Sequence, residues 1–364
     1  MNILLIGECS NLHANLAEGL RSLGHHVVVA ASDNGWRRYR YDISLNRPTT
    51  GTMDGLRCLW RIVRNLHRFR GFDVVQISHP YFLRIRADRA LPVYRYLRRH
   101  NKKVFLGAFG TDYYYARTCM EESYRYSDFK VGAKRINLEA TQDELKECLY
   151  GGTARANQEI AADCNGIIAC LWEYYVAYQP YFPGKTWFVP LPIDCRGLHP
   201  RVRSGGAPIR FFIGIQRDRS VLKGTDILLS ALQRLQANYP EQCRLIQVEN
   251  LPYEVYEQRL DEADVQLDQL YSYTPSMNSL LAMAKGIVVV GGGEAEGYAL
   301  LGEHELHPII NVVPSEEDVY AKLEALVLHP EEIPLRSRQS IDYVARHHDH
   351  VEVARRYLSC WEQG

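Results

Sequence analysis

The chain has 364 residues, 46% hydrophobic and 24% charged, with 43 Lys+Arg against 43 Asp+Glu, which is ordinary for a soluble globular protein and long enough for two domains, each with its own core. No apolar run approaches the ~20 residues that span a bilayer, and residues 1–7 run straight into a strand without the basic stretch and cleavage site of a signal peptide. Nine scattered cysteines with no Cys-x-x-Cys pair point to reduced thiols in a cytoplasm and argue against a disulfide framework or a zinc site.

Residues 1–6 predict a strand. A helix follows over 11–23, with Leu12, Leu16, Leu20 and Leu23 at helical spacing; Gly24 ends it, and 26–31 is the next strand. The turn from Gly7 to His13 lacks Gly-x-Gly-x-x-Gly, so a dinucleotide fingerprint is absent. Residues 53–70 read as an amphipathic helix, with Arg57, Arg61, Arg64 and Arg68 on one stripe and Leu56, Leu59, Trp60, Val63 and Leu66 on the apolar side. A second basic helix over 87–100 falls between strands at 73–77 and 103–106, and this alternation predicts a parallel, doubly wound sheet. Residues 1–103 carry 18 Lys+Arg against 7 Asp+Glu, a balance of +11, which leaves −11 for the remainder. Such asymmetry points to an anionic partner for the first part. The stripe reads either as a solvated helix face or as contact with an anionic membrane surface, where each Lys or Arg contributes about 1 kcal/mol. The cluster Arg98, Arg99, Lys102 and Lys103 adds to it. No recognised nucleic-acid-binding module accompanies the charge, which argues against nucleic acid as a partner.

After the strand at 103–106 come Phe109-Gly110-Thr111-Asp112 and a tyrosine-rich segment, Tyr113 to Tyr115, Tyr124 and Tyr126. Aromatic faces stack on sugars, and a carboxylate at a strand end holds hydroxyls or moves protons; the alternative is a helix-capping Asp followed by aromatics packed on the sheet. Residues 121–164 are polar, helical and acidic, as an insertion or lid would be, and strands follow at 166–169 and 187–190. Residues 195–208 have linker composition. A second α/β pattern opens with the strand at 209–215 and leads through Arg217, Lys223 and Gly224 into a helix. Arginine and lysine beside a strand end suit a diphosphate clamp, and a solvated charged loop is the rival reading. The strand at 244–248 and the helix at 253–262 come next.

The stretch 264–297 then reads strand, helix, strand. An alternating run at 265–270 precedes Thr274 as a helix cap and Pro275 at the first helical position, Gly286 stops the helix, and the β-branched run 287–290 is a strand buried on both faces. A helix N-terminus at a strand's carboxyl end suits a phosphate, although an ordinary β–α–β unit with nothing bound has the same local pattern. A strand at 309–313, a helix at 316–328 and a last helix from about 337 to 361 complete the chain.

These residues resemble a nucleotide-sugar glycosyltransferase of the GT-B architecture, closest to the retaining family 4, most strongly over 209–297. Gly214-Ile215-Gln216-Arg217…Lys223-Gly224 is similar to the family's diphosphate-binding segment. Leu251-Pro252-Tyr253-Glu254 with Ala263-Asp264-Val265 resembles its next turn and strand, and Leu280 to Gly286 its Leu-Glu-Ala-Met-Ala-x-Gly. Phe109 to Asp112 resembles its His-Gly-Ser-Asp. The chain departs where the family carries two glutamates seven residues apart: here stand Tyr273 and Leu281, and Phe109 replaces a histidine. Glu294 or Glu296 is the carboxylate available as a substitute, by our own inference.

The resemblance implies two Rossmann-like, doubly wound parallel-sheet α/β domains facing across a cleft: an acceptor-side domain over 1–194, a linker over 195–208 and a nucleotide-sugar domain over 209–336. Residues 337–364 form a helix returning to the first domain. It implies transfer of a sugar from a nucleotide-diphosphate sugar to a glycan or lipid-linked acceptor, with no required metal. The expected donor contacts are Arg217, Lys223, Gly224, Tyr273, Ser276, Met277, Asn278 and Glu296, and the expected catalytic groups are Asp112 and Glu294. The expected setting is the cytoplasm, at the inner membrane face through the basic first domain, in surface polysaccharide synthesis. The rival is a catalytically silent relative that binds a nucleotide sugar or glycan; a periplasmic-type solute binder is disfavoured by the missing signal peptide.

Overall fold

Unbroken β-branched and aliphatic runs become strands because each is covered on both faces. The computed structural model describes residues 1–33, 40–49, 51–121, 123–132, 134–135 and 138–364, and the chain divides into two units. The first, residues 1–121, 139–194 and 349–364, is built on Asn2–Ile6 (β1), His26–Ala31 (β2), Ile43–Ser44 (β3), Val74–Ile77 (β4) and Lys103–Ala108 (β5). A small antiparallel pair, Lys130–Val131 (β6) and Lys134–Arg135 (β7), belongs to the second unit, and Gly166–Ala169 (β8) and Thr186–Phe188 (β9) complete the first sheet. Its order is β3-β2-β1-β4-β5-β8-β9, all parallel. The strand order reverses between β1 and β4, where the carboxyl ends of an open sheet leave a crevice.

The second unit, residues 122–138 and 195–348, carries Ile209–Ile215 (β10), Cys243–Glu249 (β11), Val265–Leu267 (β12), Val288–Gly291 (β13) and Ile310–Asn311 (β14) in the order β11-β10-β12-β13-β14, again all parallel. Phe211, Ile213, Val265, Val288 and Val290 pack with Leu228, Leu232, Leu323 and Ile333 of the covering helices into one core. Two parallel α/β sheets are what the alternation predicted.

Several boundaries moved. The single helix expected over 337–361 is two, Glu332–His347 and His350–Gln363. Asp349 breaks it, because its carboxylate accepts the N–H groups of Val351 and Glu352 and caps a new helix. That last helix belongs to the first unit and packs on the helix Leu12–Ser22. The contact is so close that a Cβ on Gly19 would lie 2.1 Å from the His350 carbonyl oxygen. Trp361, fully buried, donates its indole N–H to Gln76 of β4 at 3.2 Å. The expected insertion at 121–164 holds β6, β7 and the helices Leu138–Tyr150 and Gly152–Asp163; its residues 122, 133, 136 and 137 lie outside the described ones.

Candidate functional site

β12 ends at Leu267, three residues earlier than the alternation suggested, and the following helix is Met277–Ala284. Its cap is Ser276, rather than Thr274: the Ser276 hydroxyl accepts the Ser279 N–H at 3.3 Å. Met277 and Asn278 are therefore the first two helical residues, whose amides have no carbonyl a turn back to bond. The same serine donates its hydroxyl proton to Asp268 at 2.5 Å, and the Ser279 hydroxyl donates to the same carboxylate oxygen. A carboxylate thus already stands at the positive end of this helix.

Lys223 joins this group from the end of the β10 loop. Its carbonyl accepts the Leu270 N–H at 2.8 Å. Burial pulls its ammonium pKa down, and Arg219 does the same, while the Asp268 and Asp128 carboxylates oppose that pull. Gly224 makes the approach feasible: its φ is +66°, and a Cβ there would sit 2.6 Å from the Leu270 Cβ. Lys223 and Gly224 thus pack on the loop after β12 at Leu270, and Asp268 of the same loop holds Ser276 at the head of the helix that Met277 and Asn278 begin. Arg217 is not: it is exposed and pairs with Glu249 at the end of β11, 2.6 Å away.

The other two expected donor residues, Tyr273 and Glu296, form a second knot in the same unit with Glu294, the expected catalytic group. The Tyr273 hydroxyl, buried, accepts the backbone N–H of Arg125 at 2.7 Å and of Tyr126 at 3.4 Å. The Tyr126 ring stacks on that of Tyr273 at 4.8 Å, and the Arg125 guanidinium lies 5.0 Å over it. Arg125 also pairs with Glu294 at 3.0 Å and with Glu296, and the Tyr126 hydroxyl donates to Glu294. Arg125 holds the Glu296 carboxyl below its usual range, and burial, then the bond to Glu294, push the Tyr126 phenol up. Tyr273, Glu294 and Glu296 are therefore held by a segment of the chain's own insertion. Sequence reasoning missed Arg125 and Asp268, and it singled out Tyr126 as a sugar-stacking aromatic without its pairing to Tyr273 and Glu294. Asp268 carried a readable signal, a carboxylate directly after a strand; Arg125 did not.

In the first unit, Asp112 requires a correction. It has no exposed surface, accepts the Tyr115 N–H at 3.0 Å and so caps the helix Tyr113–Met120, and accepts the Tyr178 hydroxyl at 2.5 Å. Burial pushes its carboxyl up to about 6, against the pull of the Tyr178 and Tyr115 bonds. A carboxylate sealed in this way cannot reach a substrate proton, and Tyr114, Tyr115, Tyr124 and Tyr126 are likewise packed away. The capping alternative is the one the packing favours.

An accessible feature of this unit is the crevice between β1 and β4, a cavity of about 450 Å³ lined by Glu8, Asp33, Arg47, His79 and Arg84 among others. His79 stacks on Tyr81 at 3.9 Å, and burial lowers its imidazole to about 3, so it is neutral at pH 7. The Glu8 carboxylate accepts the N–H groups of Cys9, His13 and Ala14 at 2.8, 3.1 and 2.9 Å. A side-chain anion thus occupies the helix N-terminus where a glycine-rich loop would leave room for a phosphate. Among the described residues no group of three or more His, Cys, Asp or Glu is placed to hold a metal, and no helix is long and apolar enough to cross a membrane.

No protein-family model matches this chain, and no curated protein matches it in sequence. Solved structures do match in shape. Anabaena HepE in complex with UDP-glucose is 12% identical, with a TM-score of 0.63 over 100% of both chains. A sucrose-phosphate synthase from Thermosynechococcus elongatus is 13% identical, with a TM-score of 0.60 over 100% of this chain and 99% of that one. The catalytic domain of starch synthase IV from Arabidopsis thaliana, bound to ADP and acarbose, is 10% identical, with a TM-score of 0.55 over 100% of this chain and 99% of that one. At these identities the likeness establishes the fold, two parallel-sheet α/β units of the GT-B class.

Proposed function

We propose that this chain of GT-B fold is a glycosyltransferase, moving a sugar from a nucleotide-diphosphate sugar to a glycan or lipid-linked acceptor in surface polysaccharide synthesis at the cytoplasmic membrane face. The observation that carries the reading is the loop after β12, which bonds Lys223 through the Leu270 N–H and the start of the helix Met277–Ala284 through the Asp268 carboxylate. HepE and starch synthase IV, of the same fold, hold UDP-glucose and ADP, so a nucleoside diphosphate is the group to seek. In the reaction the bond from the anomeric carbon to the diphosphate oxygen breaks, and the diphosphate leaves with the electron pair. The acceptor hydroxyl forms the new bond and loses its proton. Negative charge grows on the departing diphosphate, where the Lys223 ammonium and the amides of Ser276, Met277 and Asn278 would stabilise it more than in the ground state. Metal is not required by that scheme, and retention at the anomeric carbon is the outcome the family resemblance implies. Asp268 competes with the diphosphate for Lys223 and for the two serine hydroxyls. Glu294 and Glu296 face the donor sugar only if they share or release Arg125. The acceptor belongs in the β1–β4 crevice of the first unit, where Arg47 and Arg84 suit an anionic glycan.

Calorimetry of UDP, ADP and GDP with the wild type and Lys223→Ala tests the reading. The substitution should weaken binding by ~1.5–3 kcal/mol, the range for a lost charge-assisted bond; unchanged affinity removes Lys223 from the site.

One knot of contacts favours a second reading, a catalytically silent binder of a nucleotide sugar or glycan. Tyr273 and Leu281 stand at the two glutamate positions, and the available carboxylates are held by Arg125 and Tyr126. Release of nucleoside diphosphate from any nucleotide sugar by the purified protein decides against silence.

A further inference from the structure

The helix Thr52–Asn65 turns most of its apolar side away from its own unit. Only Cys58 and Ile62 are buried, while Met53 is 63% exposed, Trp60 59%, Val63 58%, Leu56 57% and Leu59 45%. At about 100° per residue these five side chains fall within about 120° of the helix circumference, and Arg64, Arg57 and Arg61 follow along one edge of that arc. The helix therefore has three faces: a narrow one against its own unit, a wide apolar one facing outward, and a cationic border. Between Thr52 and Arg70 the chain has five arginines and a single acid, Asp54, which pairs with Arg57 at 3.1 Å. Arg64 lies over the Trp60 ring at 5.1 Å.

We propose that this helix is a membrane-docking element, laid flat in the surface of an anionic bilayer with Met53, Leu56, Trp60 and Val63 entering the headgroup–acyl boundary and the arginines reaching lipid phosphates. Isolated exposed apolar residues are normal on a protein, but a contiguous arc on one helix marks a contact surface. The pattern is that of an interfacial helix: a large apolar arc, a tryptophan within it and arginines at the border. Long arginine stems cover apolar surface while their heads stay with phosphate. Charge complementarity selects the occupant. A second copy of this chain laid on the same face would set arginine borders against each other, whereas anionic lipid neutralises them. The element rests on the proposed work at a membrane face and is independent of sugar transfer.

The test uses the full chain with sedimenting vesicles of pure phosphatidylcholine or of phosphatidylcholine with phosphatidylglycerol, at 0.1 and 0.5 M NaCl. The wild type should bind the anionic vesicles and retain part of that binding at high salt, since insertion is screened less than charge alone. Leu56→Glu/Trp60→Glu, at exposed positions, should lower partitioning at least about tenfold with calorimetric nucleotide affinity unchanged. Arg57→Gln/Arg64→Gln should erase the preference for anionic lipid. Three results overturn the proposal: no binding of the wild type to anionic vesicles, equal binding by Leu56→Glu/Trp60→Glu, or lipid-free self-association that this double variant abolishes. Nucleotide affinity in the same preparations reports separately on the sugar-transfer reading, which fails by its own calorimetry and not by the vesicles.

Discussion

The sharpest consequence of the site's geometry concerns Asp268. Its carboxylate accepts the hydroxyls of Ser276, at 2.5 Å, and Ser279 at the start of the helix Met277–Ala284, and it acts on the Lys223 ammonium. A phosphoryl group held by the amides of Met277 and Asn278 would lie roughly 5 Å from it, given the reach of a helix-end anion site. Two like unit charges at that separation repel by about 3 kcal/mol at an effective dielectric of about 20. Salt and solvent reduce this to about 1–2 kcal/mol. Asp268→Asn should therefore tighten diphosphate binding about 5–30-fold, opposite in sign to Lys223→Ala. It should also lower stability by about 2 kcal/mol, because two hydroxyl bonds to a charged acceptor become bonds to a neutral one. Calorimetric titration with UDP and ADP at about 0.15 M salt reads the first effect and urea unfolding the second. If folded Asp268→Asn binds nucleoside diphosphates no better than the wild type, the diphosphate does not sit at this helix and the argument fails.

Two further expectations concern other groups. Arg125→Ala frees Glu296 and leaves Glu294 held by Tyr126, with Lys223 untouched, so affinity for free nucleoside diphosphate should stay within about twofold and affinity for the diphosphate sugar should change at least about fivefold; parallel titrations of the two ligands check the difference, and equal responses would detach Glu294 and Glu296 from the sugar. Glu303 is buried: burial opposes its charge, yet the His347 ring at 2.6 Å, the amides of Leu306 and Glu305, and Arg346 hold its carboxyl down at about 2, against an ordinary 4.5. Its folded pKa lies below its unfolded one, so its contribution is complete above about pH 4.5 and drains away as pH falls toward 2. Glu303→Ala should cost about 2–4 kcal/mol at pH 7 and flatten that acid limb in melts between pH 2.5 and 6; an unchanged acid limb would refute the assignment.

Much of the architecture was legible from local pattern. The unbroken Val288-Val289-Val290 run had to be a strand covered on both faces, and Gly286, at φ +80° with its missing Cβ directed at the Arg201 carbonyl, had to end a helix. These features depend on a residue's own backbone and its near neighbours, which is the information that sequence periodicity holds.

The site was legible only in part, because its remaining features are pairings across long stretches of chain. Nothing near Tyr273 announces that its hydroxyl meets the amide of Arg125, 148 residues away, and Glu294 gives no sign of Tyr126. Asp112 has the look of a catalytic group from its place after a strand, yet burial and Tyr178 make it a cap. Amphipathicity marked the helix Thr52–Asn65, but a hydrophobic stripe has the same sequence whether it faces a core or the outside. The sequence by itself determined where strands, helices and sharp turns form, since backbone sterics and side-chain periodicity act locally. Tertiary structure alone decided which charges meet, which carboxylate is sealed and which apolar face is left uncovered, since burial and pairing depend on distant segments arriving at the same place.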